Sequence, residues 1–164
     1  MLAHHVKYVT DPNYLLAAAS VFATAYVASR LTVVDTAWYT CIRPPWSPPN
    51  YVFPIAWTII YVLLAVAFGR ALSSKVSSKN GIVGTLFVTN LVLNVLWCYA
   101  FFRARRPLPA LIALLLLWAS IVAIMWFSIT AADSATAFLL LPYLLWVTFA
   151  SVLNVQAVRR ASLC

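Results

Sequence analysis

Three groups of side chains recur at helical spacing in this chain of 164 residues, and each combines wide aromatic rings with small or hydrogen-bonding partners. Phe53, Trp57 and Tyr61 follow one another at intervals of four, which places them on one face of a helix. Asn90, Asn94 and Trp97 form a second stripe. Trp146, Ala150 and Asn154 form a third, just after Pro142, whose missing N–H removes one helical hydrogen bond and permits a bend. Rings of this size offer flat apolar area for stacking, and carboxamides supply a few donors and acceptors that fix orientation. Converging, the three stripes would line a mostly apolar cavity with sparse polar anchors, the usual makeup of a small-molecule site. Trp57, Trp97 and Trp146 lie several residues inside their apolar runs, which favours a ring-lined pocket. Asn90 and Asn94 have a second reading, because membrane helices use Asn to hydrogen-bond a neighbouring helix. Trp126 likewise suits anchoring at a membrane interface.

Other chemistries lack their residues. No Asp, Glu, Lys or His lies in the middle of any apolar run, so proton relays and charge-coupled transport are disfavoured. The two histidines, His4 and His5, are adjacent near the N-terminus and read as a solvated tail rather than a metal site. Cys41, Cys98 and Cys164 are an odd, widely spaced set with no CxxC pair, which suggests neither a disulfide framework nor a metal knuckle. Three glycines are too few for a phosphate-binding loop. No metal and no cofactor is expected.

The elements that must hold the stripes follow from composition. Of the residues, 65% are hydrophobic and 9% charged, whereas a soluble domain carries roughly 25% charged residues. A bilayer is therefore the natural solvent. Charges punctuate five apolar runs long enough to span it, and the reading is an all-α integral membrane protein with helices over approximately 13–34, 51–72, 81–102, 107–130 and 135–158. The first run is the weakest, since Arg30 interrupts it; residues 31–34 extend it if that arginine snorkels to an interface. A single domain covering residues 1–164 is expected, with no internal repeat and no cleaved signal peptide.

Five spans sort the basic residues by face. One face collects Arg30, Arg43, Arg103, Arg105, Arg106, Arg159 and Arg160, and the other has Lys7, Arg70, Lys75 and Lys79. The positive-inside bias places the C-terminus and the first and third loops on the cytoplasmic side. The net charge of +8 thus reads as topology, not as a nucleic-acid partner.

Between the first two runs the chain reads Trp38-Tyr39, Arg43-Pro44-x-Trp46-x-Pro48-Pro49, x-Val52-Phe53-Pro54-x-x-Trp57-x-x-x-Tyr61. With "LNVLWCYAFFRARRP" in the third run and "LLLPYLLWVTFASVLN" in the fifth, this resembles the TspO/MBR family of tryptophan-rich sensory proteins and translocator proteins. The resemblance implies a five-helix bundle, often a homodimer, that binds porphyrins such as protoporphyrin IX, sterols in some members, and isoquinoline or benzodiazepine-type drugs. The pocket expected is formed by Trp38, Trp46, Phe53, Trp57, Tyr61, Asn94, Trp97, Trp146, Phe149, Ala150 and Leu153, of which Ala150 and Leu153 are implied by the family's ligand-contacting fifth helix. The resemblance further implies that the first loop, with Arg43, Pro44, Pro48 and Pro49, folds over the pocket mouth as a lid.

Physically, prolines at 44, 45, 48 and 49 restrict the loop, so a lid built from them orders at low entropic cost. Trp38, Trp46 and Tyr51 are expected on its apolar underside. The alternative is that the prolines only begin the second helix and the aromatics anchor it. Some members of the family promote light- and oxygen-dependent porphyrin breakdown, for which Trp57 and Trp146 are the matching candidates; a scaffold without ligand is a further reading. The chain departs from the family in three places. Arg43 stands where lysine is usual, Tyr51 where tryptophan is common, and Val155-Gln156 follow Leu153-Asn154 with no tyrosine before Arg159, which disfavours sterol.

Overall fold

The computed structural model describes residues 11–73 and 80–164, and among them the regular structure is helical with no strand. The readings made for His4, His5, Lys7, Lys75 and Lys79 lie outside these residues. Helix α1 spans Pro12–Leu31: Pro12 suits the first turn, and the Asp11 side chain caps it by accepting from the Asn13 N–H at 2.9 Å. The sequence reading carried this helix to Val34, but it stops at Leu31. Thr32 turns extended and the Thr32 hydroxyl donates to the Ala28 carbonyl at 2.8 Å. The run Thr32-Val33-Val34 is β-branched throughout, and the stiffness of such side chains weakens helix propagation.

A short helix that periodicity did not reveal, α2, covers Ala37–Ile42, with Thr36 capping it through the Tyr39 N–H at 3.1 Å. Arg43 ends it, because the residue before a proline is pushed out of the helical region. Helix α3 covers Val52–Ser73 and α4 covers Asn80–Cys98, continuing through a wide π turn over Tyr99–Arg103. Helix α5 covers Pro107–Thr130, and α6 covers Ser134–Arg160, running through Pro142.

The helices α1, α3, α4, α5 and α6 are each long and apolar enough to cross a membrane. They close a ring: α1 packs on α3 and α4, α3 on α6, α6 on α5, and α5 on α4. Leu15, Leu16, Ile59, Val92, Leu115 and Leu145 point outward, each more than half exposed, so the outer surface is apolar all round and suits lipid.

The inside is held by rings and by a buried amide. Phe68 of α3 stacks on Phe87 of α4 with centroids 4.7 Å apart. Asn90 of α4, fully buried, donates to the Ser120 hydroxyl of α5 at 2.8 Å and accepts from the Tyr143 phenol of α6 at 3.1 Å. One carboxamide thereby joins three helices, which is the helix-packing alternative for this residue.

The alternation of spans puts α2 and the C-terminus on one face. There Cys41 and Cys164, 123 residues apart, form a disulfide with Cα atoms 6.0 Å apart, and the Arg160 Nε donates to the Cys41 carbonyl at 3.2 Å. This corrects the expectation that the cysteines are unpaired. Spacing along the chain gave no sign of it, because the pairing arises from four crossings that bring the last turn back beside the first loop. Cys98 is buried and free. On the opposite face Asp11 accepts from the Ser73 hydroxyl at 2.8 Å, and Arg70 pairs with Asp133 at 2.9 Å.

Candidate functional site

A cavity of about 620 Å³ lies among α1, α3, α4 and α6, beneath the segment that carries α2 and the prolines. Its volume falls within the range of small-molecule sites, roughly 300–1,000 Å³. Helix α3 contributes Phe53, Trp57 and Tyr61, helix α4 contributes Trp97, Phe101 and Phe102, and helix α6 contributes Trp146, Ala150, Leu153 and Asn154. The stripes seen in the sequence face inward because the opposite faces of the same helices carry the lipid-exposed side chains.

Trp57 is the hub of the rings. Its centroid lies 5.5 Å from Tyr61, 5.8 Å from Trp97 and 6.1 Å from Tyr143, distances at which aromatic pairs attract. Phe53 meets Trp146 edge-on at 5.7 Å, and Trp146 leans on Phe149 at 5.6 Å. The π turn after Cys98 adds a residue to the turn, its N–H of Ala104 reaching back to the Tyr99 carbonyl, just where Phe101 and Phe102 meet the cavity.

The polar groups of the wall are mostly engaged. The Trp97 indole donates to Asn154 Oδ1 at 3.2 Å, and Asn154 Nδ2 donates to the Pro107 carbonyl at 2.8 Å. The Tyr61 phenol donates to Asn94 Oδ1 at 2.8 Å. On the lid side Tyr39, Ile42, Arg43, Pro44 and Ser47 close the cavity. Burial pushes the Tyr39 phenol above its ordinary value, against a smaller pull downward from Arg43, so this group stays neutral at physiological pH. Arg43 is the one charged residue on the wall among those described.

The residues singled out from the sequence therefore divide. Phe53, Trp57, Tyr61, Trp97, Trp146, Ala150 and Leu153 line the cavity, as do Arg43 and Pro44 of the lid. Asn94 does not; it is fully buried and serves Tyr61 from behind. Trp38 backs the wall, edge-on to Phe101 at 5.7 Å, and Phe149 sits between Trp146 and the lid's Trp46, 6.4 Å away. Trp46 is itself half exposed, and Tyr51 is 67% exposed and away from the cavity, so neither forms the underside expected of them. Pro48 and Pro49 also stand off the wall, although the Pro48 carbonyl accepts from Arg43. Helix α1 supplies Phe22, Tyr26 and Ser29, which the sequence reading missed even though their spacing of four and three marks a face. Among the described residues no cluster of metal-ligating side chains occurs.

Recognition by burial and stacking is what this arrangement can do, and it defines a multi-pass membrane protein built round an aromatic cavity. The sequence profile of the TspO/MBR family matches residues 15–160, and the chain belongs to that family. It is 36% identical over 135 residues, 80% of this chain and 85% of the other, to a tryptophan-rich protein TspO of Chlorobaculum tepidum. It is 35% identical over 123 residues to a tryptophan-rich sensory protein of Cereibacter sphaeroides, covering 74% of this chain and 75% of that one. A translocator protein of Ovis aries is 35% identical over 124 residues, 71% of this chain and 70% of its own.

Proposed function

We propose that the cavity binds a tetrapyrrole, protoporphyrin IX foremost, and that the protein serves to hold, sense or move such flat apolar ligands. The observation that carries this reading is the placement of Trp57, Trp97 and Trp146 on three helices around one space, with the small Ala150 one turn from Trp146. That gap accommodates a flat ring system between indoles, and each stacked ring contributes on the order of 1 kcal/mol beyond its burial. Titration of the purified protein with protoporphyrin IX in the dark, followed by tryptophan quenching, is expected to give micromolar or tighter affinity. Trp146→Ala should weaken it about tenfold, or about 1.4 kcal/mol. Unchanged affinity in a folded variant would move the ligand elsewhere.

A second reading, light- and oxygen-dependent porphyrin degradation, is favoured by the near-continuous contact of Trp57 with Tyr61, Trp97 and Tyr143, a relay suited to passing an oxidising equivalent away from a ligand. Faster bleaching than in empty micelles, lost in Trp57→Phe, would support it. Isoquinoline or benzodiazepine-type drugs would compete for the same space. Sterol fits less well in the absence of a tyrosine after Asn154. The excess of arginine on the face that holds α2 and the C-terminus supports a cytoplasmic placement of that face. The apolar outer wall leaves room for a homodimer.

A further inference from the structure

The chain has three acidic residues, and two of them, Asp11 and Asp133, are engaged on the face away from the lid. Among the described residues no carboxylate pairs with Arg43. Its guanidinium instead uses one nitrogen, Nη2, to donate to the Ser47 carbonyl at 3.4 Å and to the Pro48 carbonyl. Those two bonds fix the group against the proline-rich turn, at the edge of a cavity otherwise walled by neutral side chains. Nη1 and Nε keep three N–H donors with no protein acceptor among the described residues. A cation held against the turn at the rim of an otherwise neutral wall, with N–H donors not used by the protein, is matched to a carboxylate oxygen.

We infer that Arg43 is a specificity-determining residue that receives a carboxylate at the rim, so that the site selects a planar apolar body carrying an anionic edge. This rests on the tetrapyrrole reading of the cavity and narrows it. The rings grip the body of the ligand without regard to its charge, and Arg43 sets which edge faces the lid. The discrimination therefore follows the charge on the ligand's edge.

Protoporphyrin IX and its dimethyl ester share the macrocycle and differ in having two carboxylates or none. Both are titrated in the dark into the parent protein, Arg43→Lys and Arg43→Met. Partition into the detergent is the same for all three proteins, so the acid-to-ester preference relative to Arg43→Met isolates what the side chain does. The parent is expected to prefer the acid about tenfold more than Arg43→Met does, a difference of 1.4 kcal/mol. Arg43→Lys should retain most of that preference, because it keeps a positive charge at the rim. Ester affinity in each of the three proteins measures what that protein keeps of the cavity and the lid turn, so the acid is always read against the ester in the same variant. An equal preference in parent and Met variant would overturn the inference while leaving the tetrapyrrole reading in place. If Lys behaves like Met while ester binding falls in both, Arg43 only staples the lid and the inference fails. Absence of binding by either compound would overturn both readings.

Discussion

Asn154 uses both ends of its carboxamide on groups that would otherwise be buried without partners, the Trp97 indole N–H and the Pro107 carbonyl. Asn154→Leu removes both bonds and leaves the partners in a dry interior. The expected loss is about 1–3 kcal/mol, the cost of orphaned buried groups, reduced toward the lower end by the relaxed reference state of a membrane protein. Thermal unfolding in detergent should register it as a lower midpoint, with porphyrin affinity falling because Trp97 is no longer held. An unchanged midpoint would mean that water or lipid replaces the amide. Asp133 offers a test with a sign. Burial alone would raise its pKa, but hydrogen bonds from Thr136 and Arg70 overcome burial and hold the carboxyl below its usual value. A depressed folded pKa contributes stability that is present above the ordinary carboxylate range, about pH 4, and is lost as pH falls through the folded value. Asp133→Ala should destabilise by about 1 kcal/mol at neutral pH, as expected for a lost N-cap of α6. Asp133→Asn keeps the cap but should flatten the acid limb of the stability profile; an acid limb identical to the parent's would assign it to other groups.

The lid is built differently from what its prolines suggested. Pro48 and Pro49 do not touch the cavity; they shape a turn whose Pro48 carbonyl holds Arg43, while the disulfide and Arg160 fasten α2 to the end of α6. Two devices, a stiff turn and a covalent tether, thus limit how far this segment moves. Replacing Pro48 and Pro49 by glycine should weaken porphyrin binding by roughly 0.4–1 kcal/mol for each proline, through the entropy of the freed chain. Dithiol reduction, or Cys164→Ser, should speed porphyrin release with the spans intact, because α2 is no longer tied to α6. Release rates equal to the parent's after verified reduction would show that packing alone holds the lid. All five spans were legible in the sequence to within a few residues, since charges and prolines bound their apolar runs. The six residues of α2 and the π turn at Tyr99–Arg103 were not, because each is shorter than the window in which periodicity becomes visible.

Across the whole molecule, α1 and α3 are in tight contact at the end away from the lid, where a Cβ on Gly69 would collide with the ring of Tyr14. Tyr14 and Tyr26 are twelve residues apart, about 18 Å along the helix, and near Tyr26 the same two helices stand on either side of the cavity. Such a wedge between helices is a property of the assembly. The sequence displays which face of α3, α4 or α6 is aromatic, but not which helix stands opposite. That is why Trp57, Trp97 and Trp146 were readable as wall residues while Phe22 and Tyr26 were missed, and why Asn94, equally conspicuous at its spacing, proves to be a support behind Tyr61. The central claim, that a tetrapyrrole occupies this space, is tested most directly by filling it. Ala150→Trp adds an indole to the wall of the cavity beside Trp146, and protoporphyrin IX affinity is measured by quenching in the dark with the thermal midpoint as a control for folding. The account predicts at least a tenfold loss, about 1.4 kcal/mol, in a protein that remains folded. A folded Ala150→Trp protein that binds protoporphyrin IX as tightly as the parent would contradict it.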